Sequence, residues 1–401
     1  MRAQSSTPRR IDVAERRARL GRRHRLALPA PGPTEVARAL VALHGTDPTT
    51  SYLSVWARTP QGDGDVAAVE RALYEERSLL RLLAMRRTVF AVTRDSAPVV
   101  LAACSREVAG RERRKLVGWL TDTGVAADPD GWLATVEQVA LEALAGLGEA
   151  TAAQLGECDP RLRTEITLGR GTANEGSARL ASRVLLVLAA QGRVVRGRPL
   201  GSWTSTQFTW TTAGAWFDGG LPEVDVPEAE AELVRAWLTA FGPATVDDLR
   251  WWTGWTQTRT RTALARVATA SVDLDGVPAL VLADDVEVEP EPEPWVALLP
   301  ALDPTTMGWA AREFYLGAHA PALFDRTGNA SATVWVDGRV VGGWAQRADG
   351  EVVVRLLEDV GHDAVRSVEK RAAELTTHLG PVRLSARGRT MSPLEKELRG
   401  G

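Results

Sequence analysis

The sequence predicts an α+β protein in which one helix-rich unit recurs three times before the chain changes to strands. Each unit has hydrophobic residues at helical spacing, followed by an alternating pattern typical of a hairpin. GEATAAQLGEC at 148–158 is echoed by GPATVDDLRWWTGW at 242–255, which indicates weak internal repetition. Three helices followed by a strand pair is the order of a winged helix. We therefore predict three tandem winged-helix modules followed by a C-terminal β-rich, barrel-like domain.

The predicted boundaries follow changes in composition. The five predicted parts are a basic N-terminal helix or arm at 1–30, three winged helices at 31–125, 126–222 and 223–286, and the C-terminal domain with its closing helix at 287–401. The last part begins with the acidic, proline-rich connector EVEPEPEP. The arginines between positions 9 and 25 predict either a solvated helical face or an arm that contacts phosphates.

Periodicity and turn residues place the elements of each part. The first module has helices on either side of a polar corner, a third helix that Asp65 would cap, and strands within 81–93. The second has helices at 136–147, 151–157 and 177–190 and strands ending at 206–211. The third has helices at 231–241 and 258–267 and a hairpin at 272–282 that turns at Asp275-Gly276. The C-terminal domain has strands at 295–299, 332–336, 340–344 and 352–356, a helix at 364–377 and a strand at 381–384.

The composition excludes several protein classes. The chain has 401 residues, 44% of them hydrophobic and 25% charged, with a net charge of -3, as in ordinary globular proteins. Neither an apolar run long enough for a membrane span nor an apolar signal region is found, so we expect a cytoplasmic protein. Cys104 and Cys158 lack metal-ligand spacing, and no phosphate-binding glycine loop is found. We therefore expect no metal, no nucleotide cofactor and no membrane partner.

The polar corner LHGTDPTTSYLSVWAR at 43–58 is the best candidate for a site. A His-Gly-Thr triplet interrupts the apolar pattern, and Asp47 with Pro48 reads as the N-cap and first residue of a helix. Two packed helices would hold such a corner rigidly, as a catalytic site requires. His44 and Thr46 are the candidate catalytic residues. Each also has a structural interpretation, His44 as a helix C-cap and Thr46 as part of the next cap.

Four segments carry a resemblance to a known family. The corner, AMRRTVF at 84–90, LPALDP at 299–304 and GNASATVWVDGRVVGGW at 328–344 resemble winged-helix bacterial DNA glycosylases of the AlkZ/AlkX (YcaQ) type, in the same order along the chain. The resemblance implies three winged helices and a β-domain clamped around DNA. It also implies excision of bulky alkylated purines, or unhooking of interstrand crosslinks made by natural genotoxins.

This chain differs from the family that it resembles at the family's catalytic motif. The family has Gln-x-Gln or Gln-x-Asp in the corner, where this chain has His44-Gly45-Thr46. His44 takes the first catalytic position and Thr46 the second, with Asp47 as a cap that could also orient His44 or the sugar. An alkylated purine is a cationic leaving group, so a base that accepts a proton from water is sufficient. A neutral histidine can do this.

The resemblance also suggests which residues contact DNA. Six arginines lie on elements that would flank the corner or form the second wing, and each could instead face solvent: Arg58, Arg86, Arg87, Arg193, Arg196 and Arg198. The predicted partner is double-stranded DNA with an alkylated purine, bound by a monomer that associates with the nucleoid. Two other functions stay open: a non-catalytic winged-helix DNA-binding protein, either a regulator or an inactive paralogue, and a structural interaction protein without salt-dependent DNA binding.

Overall fold

The computed structural model describes residues 8–60, 64–172, 175–217, 219–385 and 391–400. Its helices are α1 Val13–Arg23, α2 Pro33–Ala39, α3 Pro48–Trp56, α4 Val66–Glu70, α5 Ala97–Val100, α6 Arg106–Thr123, α7 Pro129–Leu147, α8 Ala152–Cys158, α9 Leu180–Ala190, α10 Ala213–Trp216, α11 Val226–Phe241, α12 Val246–Thr253, α13 Gln257–Leu264, α14 Glu313–Leu316, α15 Ala320–Leu323, α16 His362–Leu379 and α17 Pro393–Gly400. Its strands are β1 Arg9–Arg10, β2 Leu43–His44, β3 Leu79–Leu83, β4 Val89–Thr93, β5 Glu165–Leu168, β6 Gly176–Arg179, β7 Val194–Pro199, β8 Phe208–Thr212, β9 Thr269–Leu274, β10 Val277–Leu282, β11 Val296–Leu299, β12 Thr333–Val336, β13 Arg339–Gln346 and β14 Val352–Leu356.

The chain divides into two compact units. One combines Met1–Ser78 with Glu230–Gly401, and the other is Leu79–Ala229. Both units contain helices and strands, so the predicted mixture of α and β structure is confirmed. The five predicted parts divide the chain more finely and remain a prediction. Within the described residues, no helix combines the length and the apolar character that crossing a membrane requires.

The unit Leu79–Ala229 is organised around helix α7. Leu133, Val136, Ala140 and Leu144 are fully buried at helical spacing and belong to one core cluster with the apolar residues of α9. A bridge joins Ala150 to Trp210, and α8, α9 and the antiparallel β7–β8 hairpin follow. The order of helix, helix, helix and hairpin predicted for this segment is therefore observed.

A second hairpin in this unit was not predicted. Strands β5 and β6 pair antiparallel between α8 and α9, so the helix predicted from residue 177 begins at Leu180. Residues 176–179 use their backbone groups in the ladder with residues 165–168 and so cannot make the hydrogen bonds of a helix. The Leu180 amide instead donates to the Thr164 carbonyl at 2.9 Å, which closes the hairpin against the helix.

The other unit contains the third predicted module. Helices α11, α12 and α13 precede the β9–β10 hairpin, which turns at Asp275 and Gly276 as predicted. Strand β1 adds to this hairpin in parallel with β9. The pairing places Ile11, which is fully buried, in the core cluster of the hairpin.

Three of the N-terminal arginines, Arg19, Arg22 and Arg23, form ion pairs inside their unit. Arg19 is 1% exposed and contacts Glu15 and Asp285 at 3.0 Å each, while Arg23 contacts Asp285 at 2.7 Å. Arg22 lies 3.4 Å from Glu289, so helix α1 also binds the acidic connector. For Arg19 and Arg23 both predicted roles are wrong, because Asp285, far away in the sequence, pairs with them inside the unit. Arg10 is 70% exposed beside Asp275.

The predicted barrel-like closure of the C-terminal domain is wrong for the described residues. Strands β11, β12, β13 and β14 form an antiparallel sheet in that order, with β11 and β14 at its edges. Strands β11 and β14 are not hydrogen-bonded to each other, so this four-stranded sheet is open. Helices α16 and α17 pack on this sheet.

The strand predicted at 381–384 is absent because a side chain takes the place of a neighbouring strand. The Gln346 amide nitrogen donates to the Val382 carbonyl at 2.9 Å, and the Leu384 amide donates to the Gln346 side-chain oxygen at 2.8 Å. Gln346 is 3% exposed. The Gln346 carboxamide thus binds one carbonyl and one N–H of this segment, as a peptide unit of a neighbouring strand would.

Candidate active site

The polar corner lies in the unit that contains both chain ends. The predicted direct helix-to-helix corner contains the short strand β2, whose last residue is His44, before α3 begins at Pro48. His44 is partly exposed and Thr46 is exposed, whereas Gly45 and Asp47 are buried. The Ser51 hydroxyl donates to the His44 carbonyl at 2.8 Å, which ties the backbone of the triplet to α3.

Asp47 caps α3 as its sequence predicts. Its Oδ1 accepts hydrogen bonds from the Thr49 amide at 3.0 Å and from the Thr49 hydroxyl at 2.7 Å. Pro48 occupies the first helical turn, where its missing N–H leaves no bond unmade. Asp47 is 4% exposed. The capping role is confirmed, and a catalytic role for Asp47 stays a prediction.

Helix α3 is buried along its whole length, and polar side chains on one side of it hold it in place. Thr50, Ser54 and Arg58 follow at i, i+4 and i+8 and lie on one side of α3 and its C-terminal extension. Thr50 donates to the Ala301 carbonyl at 2.9 Å, and Ser54 donates to an Asp303 carboxylate oxygen at 2.7 Å. The helix after the corner is therefore anchored to the LPALDP segment, about 250 residues away in sequence.

Arg58 completes this anchor and is not available to DNA. Its guanidinium donates to both carboxylate oxygens of Asp303, at 2.7 and 2.9 Å, and both side chains are 0% exposed. It also donates to the His24 carbonyl at 2.9 Å and to the Thr305 hydroxyl oxygen at 2.7 Å. The predicted phosphate contact of Arg58 is wrong in this structure, because its guanidinium is buried in an ion pair with Asp303.

His24 extends the network. Its Nε2 lies 3.0 Å from the Ala240 carbonyl, which only accepts, so Nε2 carries the proton. Nδ1, 2.8 Å from the Thr305 hydroxyl, is then the acceptor. Burial and then the charge of Arg58 lower the pKa of His24 to about 3, so the ring stays neutral. A chain of hydrogen bonds thus runs from Ala240 through His24 and Thr305 to Arg58.

A small cavity of about 30 Å³ lies beside the helix cap. Asp47 and Thr49 line one side, and Trp344, Gln346 and Arg399 line others. Its volume suits one water molecule. Among the described residues, no group of three or more His, Cys, Asp or Glu side chains is placed to hold a metal ion.

The remaining predicted DNA contacts lie in the unit Leu79–Ala229. Arg86 and Arg87 are exposed in left-handed backbone conformations, at φ 53° and 61°, in the turn between β3 and β4. Arg87 also pairs with Glu112 at 2.8 Å. Arg193 and Arg198 are exposed on and beside β7. These four residues are accessible, and their contact with DNA stays a prediction.

Arg196 differs from its neighbours. It is partly buried, with its guanidinium carbon 4.4 Å from the centre of the Phe208 ring and 5.3 Å from that of Trp210. The structure therefore places Arg196 on the aromatic surface of the β7–β8 hairpin. The sequence pattern gave no sign of this, although the register of the hairpin sets Arg196 opposite Trp210.

Comparison with known proteins identifies the family of this chain. Residues 37–378, which include the corner and the LPALDP anchor, match the family described as DNA glycosylase AlkZ-like. The chain belongs to this family. The family resemblance carried by the four sequence segments is thereby confirmed.

A relative and a solved structure, both from Streptomyces sahachiroi, are similar to this chain. An "Interstrand DNA cross-link repair glycosylase" is 31% identical over 216 residues, which cover 51% of this chain and 56% of that relative. The alignment thus spans little more than half of the relative's length. The solved structure of the "DNA glycosylase AlkZ" matches 94% of this chain and 99% of its own, with a TM-score of 0.72 at 24% identity. This AlkZ-like chain therefore shares its fold.

Proposed function

We propose that the protein is a monofunctional DNA glycosylase that hydrolyses the N-glycosidic bond of N7- or N3-alkylated purines in duplex DNA. Membership of the AlkZ-like family supports this activity. One observation in the site carries it: His44 is partly exposed and Thr46 is exposed at a corner whose following helix is fully buried and anchored. Accessible polar groups on a rigid support suit the positioning of water.

His44 acts as the base in this proposal. An alkylated purine carries positive charge, so the C1′–N bond breaks with its electron pair moving to the base, which leaves as a neutral molecule. Water adds its oxygen to C1′ of the oxocarbenium-like sugar, and its proton passes to neutral His44. The Thr46 hydroxyl holds the water, and Asp47 keeps the end of α3 in place. A positioned base of this kind contributes typically about 10²- to 10⁴-fold to rate.

DNA binding in this proposal depends on exposed arginines. Arg86, Arg87, Arg193 and Arg198 contact backbone phosphates, which position the duplex without reading its sequence. The proposed winged-helix modules are residues 31–125, 126–222 and 223–286, and the first two of them present these arginines. The helix, helix, helix and hairpin order in the second and third segments supports this assignment.

The substrates in this proposal include bulky adducts and interstrand crosslinks. A relative from Streptomyces sahachiroi bears the name of an interstrand DNA cross-link repair glycosylase, which supports this choice. The protein would act as a monomer in base excision repair, in the cytoplasm and at the nucleoid. Resistance to a self-made genotoxin is a biological role that fits such substrates.

Single-turnover excision tests the proposal. Duplexes with one N7-alkylguanine are incubated with excess wild type, His44→Ala, Thr46→Ala or His44→Gln, and abasic sites are read after alkaline cleavage. His362, which is exposed on α16, supplies the matched control His362→Ala. We expect His44→Ala to lose about 10²-fold or more in rate with duplex binding retained, and His44→Gln to keep part of the rate.

One outcome favours a different function. The chain has His-Gly-Thr where the family has glutamine, so a regulator or an inactive paralogue is the second candidate. Absence of excision by wild type on simple and bulky N7 and N3 adducts, together with tight, salt-sensitive duplex binding, would support that candidate and reject the glycosylase. Full activity of His44→Ala would reject the assigned base.

A further inference from the structure

A pocket in the unit Leu79–Ala229 has no role in the proposed reaction. It has a volume of about 450 Å³, and its walls include Leu186 from α9 and Arg196, Leu200, Phe208 and Trp210 from the β7–β8 hairpin and its loop. Sites for small molecules typically measure about 300–1,000 Å³ and are mostly apolar. Leu200 is 44% exposed, so apolar surface reaches the rim of the pocket.

The polar group of interest in the pocket is the Arg196 guanidinium. Among the described residues, no carboxylate pairs with it and no oxygen accepts a hydrogen bond from it; its contacts are the ring faces of Phe208 and Trp210. Burial and then the charge of Arg81 lower the pKa of Arg196 to about 10. In the same unit, Arg161 is paired with a carboxylate, that of Asp159, at 2.7 Å.

The geometry leaves one part of Arg196 ready for a ligand. The Phe208 and Trp210 ring centres lie 4.4 and 5.3 Å from the guanidinium carbon, and aromatic rings offer its N–H groups no oxygen acceptor, so these donors can still bind an anion. Burying a guanidinium cation away from water without an anion beside it costs free energy. A carboxylate that accepts two parallel N–H bonds would satisfy both the charge and the donors.

We propose that this pocket binds a small planar organic anion, an aromatic carboxylate, with its carboxylate on Arg196 and its ring against the apolar walls. The walls favour this ligand over a DNA phosphate, because a sugar-phosphate backbone gains little from contact with Leu186, Leu200 and Phe208. Arg196 was also predicted to contact DNA, and the pocket gives it a different partner. This proposal does not depend on glycosylase activity, since binding is measured without DNA.

Calorimetric titration with indole-3-carboxylate tests the site on the full chain. Its neutral analogue indole-3-carboxamide has the same ring and controls for apolar contact. We expect saturable one-to-one binding of the carboxylate with a Kd of about 1 mM or tighter, and binding of the carboxamide at least about tenfold weaker. The variant Arg196→Gln should lose the same factor, while Arg198→Gln, exposed on the same strand, should bind as wild type.

A second variant tests the pocket without altering Arg196. Ala153 is exposed on α8 at the pocket wall, so Ala153→Trp fills the space and should abolish carboxylate binding with thermal unfolding unchanged. Equal affinity for carboxylate and carboxamide, or no saturable binding up to about 10 mM, overturns the proposal. It is also overturned if undamaged duplex DNA displaces the carboxylate and Arg196→Gln weakens duplex binding more than Arg198→Gln, because the pocket would then be a phosphate site.

Discussion

Removing the Asp303 carboxylate should destabilise the unit that holds the corner far more than removing a surface ion pair. Asp303 is fully buried and accepts four hydrogen bonds, two from Arg58, one from the Ser54 hydroxyl and one from the Thr305 amide, at 2.7 to 2.9 Å. The variant Asp303→Ala leaves the Arg58 guanidinium charged, with no carboxylate to balance it, at a position that is 0% exposed.

The size of the effect follows from this burial. Removing one partner of a buried pair typically costs about 3–5 kcal/mol, because the remaining charge is left uncompensated. Each kcal/mol lowers Tm by about 2–4 °C in a cooperative unit of ~150–250 residues. We therefore expect Tm to fall by about 6–20 °C. Replacing both residues, as Arg58→Met with Asp303→Ala, should recover part of the loss, because no charge then remains buried.

Thermal unfolding followed by circular dichroism, with urea unfolding at 25 °C, measures the change. Arg366→Ala is the matched control, since its pair with Asp363 is exposed at 73% and 92% and its loss should stay within about 0.5 kcal/mol. A loss of about 1 kcal/mol or less for Asp303→Ala would refute the reasoning. So would a double variant less stable than the sum of the single variants predicts.

The other predictions concern pH and salt. Because the folded pKa of His24 is about 3, below its unfolded value of about 6.5, only the unfolded chain binds a proton as the pH falls between them. Lowering the pH from 6.5 to 5 should therefore reduce the free energy of unfolding by about 1.5 kcal/mol more in wild type than in His24→Asn; an equal loss contradicts this. Replacing Arg193 and Arg198 with glutamine should weaken duplex binding and reduce the slope of log K against log salt by about 1.8, measured by fluorescence anisotropy. An unchanged slope would show that these arginines do not contact DNA phosphates.

The parts of the fold that the sequence predicts are those set by local spacing. The apolar stripe of α7 and the Asp275-Gly276 turn need only neighbouring residues, and both were predicted correctly. The errors involve pairing over long distances. Strand β1 pairs with β9, more than 260 residues later in the sequence. Arg19 and Arg23 form ion pairs with Asp285. Nothing near these residues in the sequence indicates such partners, so their charge was interpreted as facing solvent or DNA.

The same distinction applies to the candidate site. Asp47 was predicted as a cap because the cap and its partner, Thr49, are two residues apart. The partner of Arg58 is 245 residues away, although the polar residues Thr50, Ser54 and Arg58 at i, i+4 and i+8 could have indicated a shared polar contact. A polar stripe on a buried helix therefore predicts that a partner exists, and only the folded chain identifies Asp303.

The anchoring of the corner also bears on how the proposed catalytic motif can vary. The bonds that fix α3 run from Thr50, Ser54 and Arg58 to residues 301–305, and none of them uses the side chain of His44 or Thr46. A change from glutamine to histidine at position 44 thus leaves this buried network intact. Natural variation of the motif would then alter the chemistry at the corner with little cost in stability, so His44→Gln should unfold at the same temperature as wild type even where its excision rate differs.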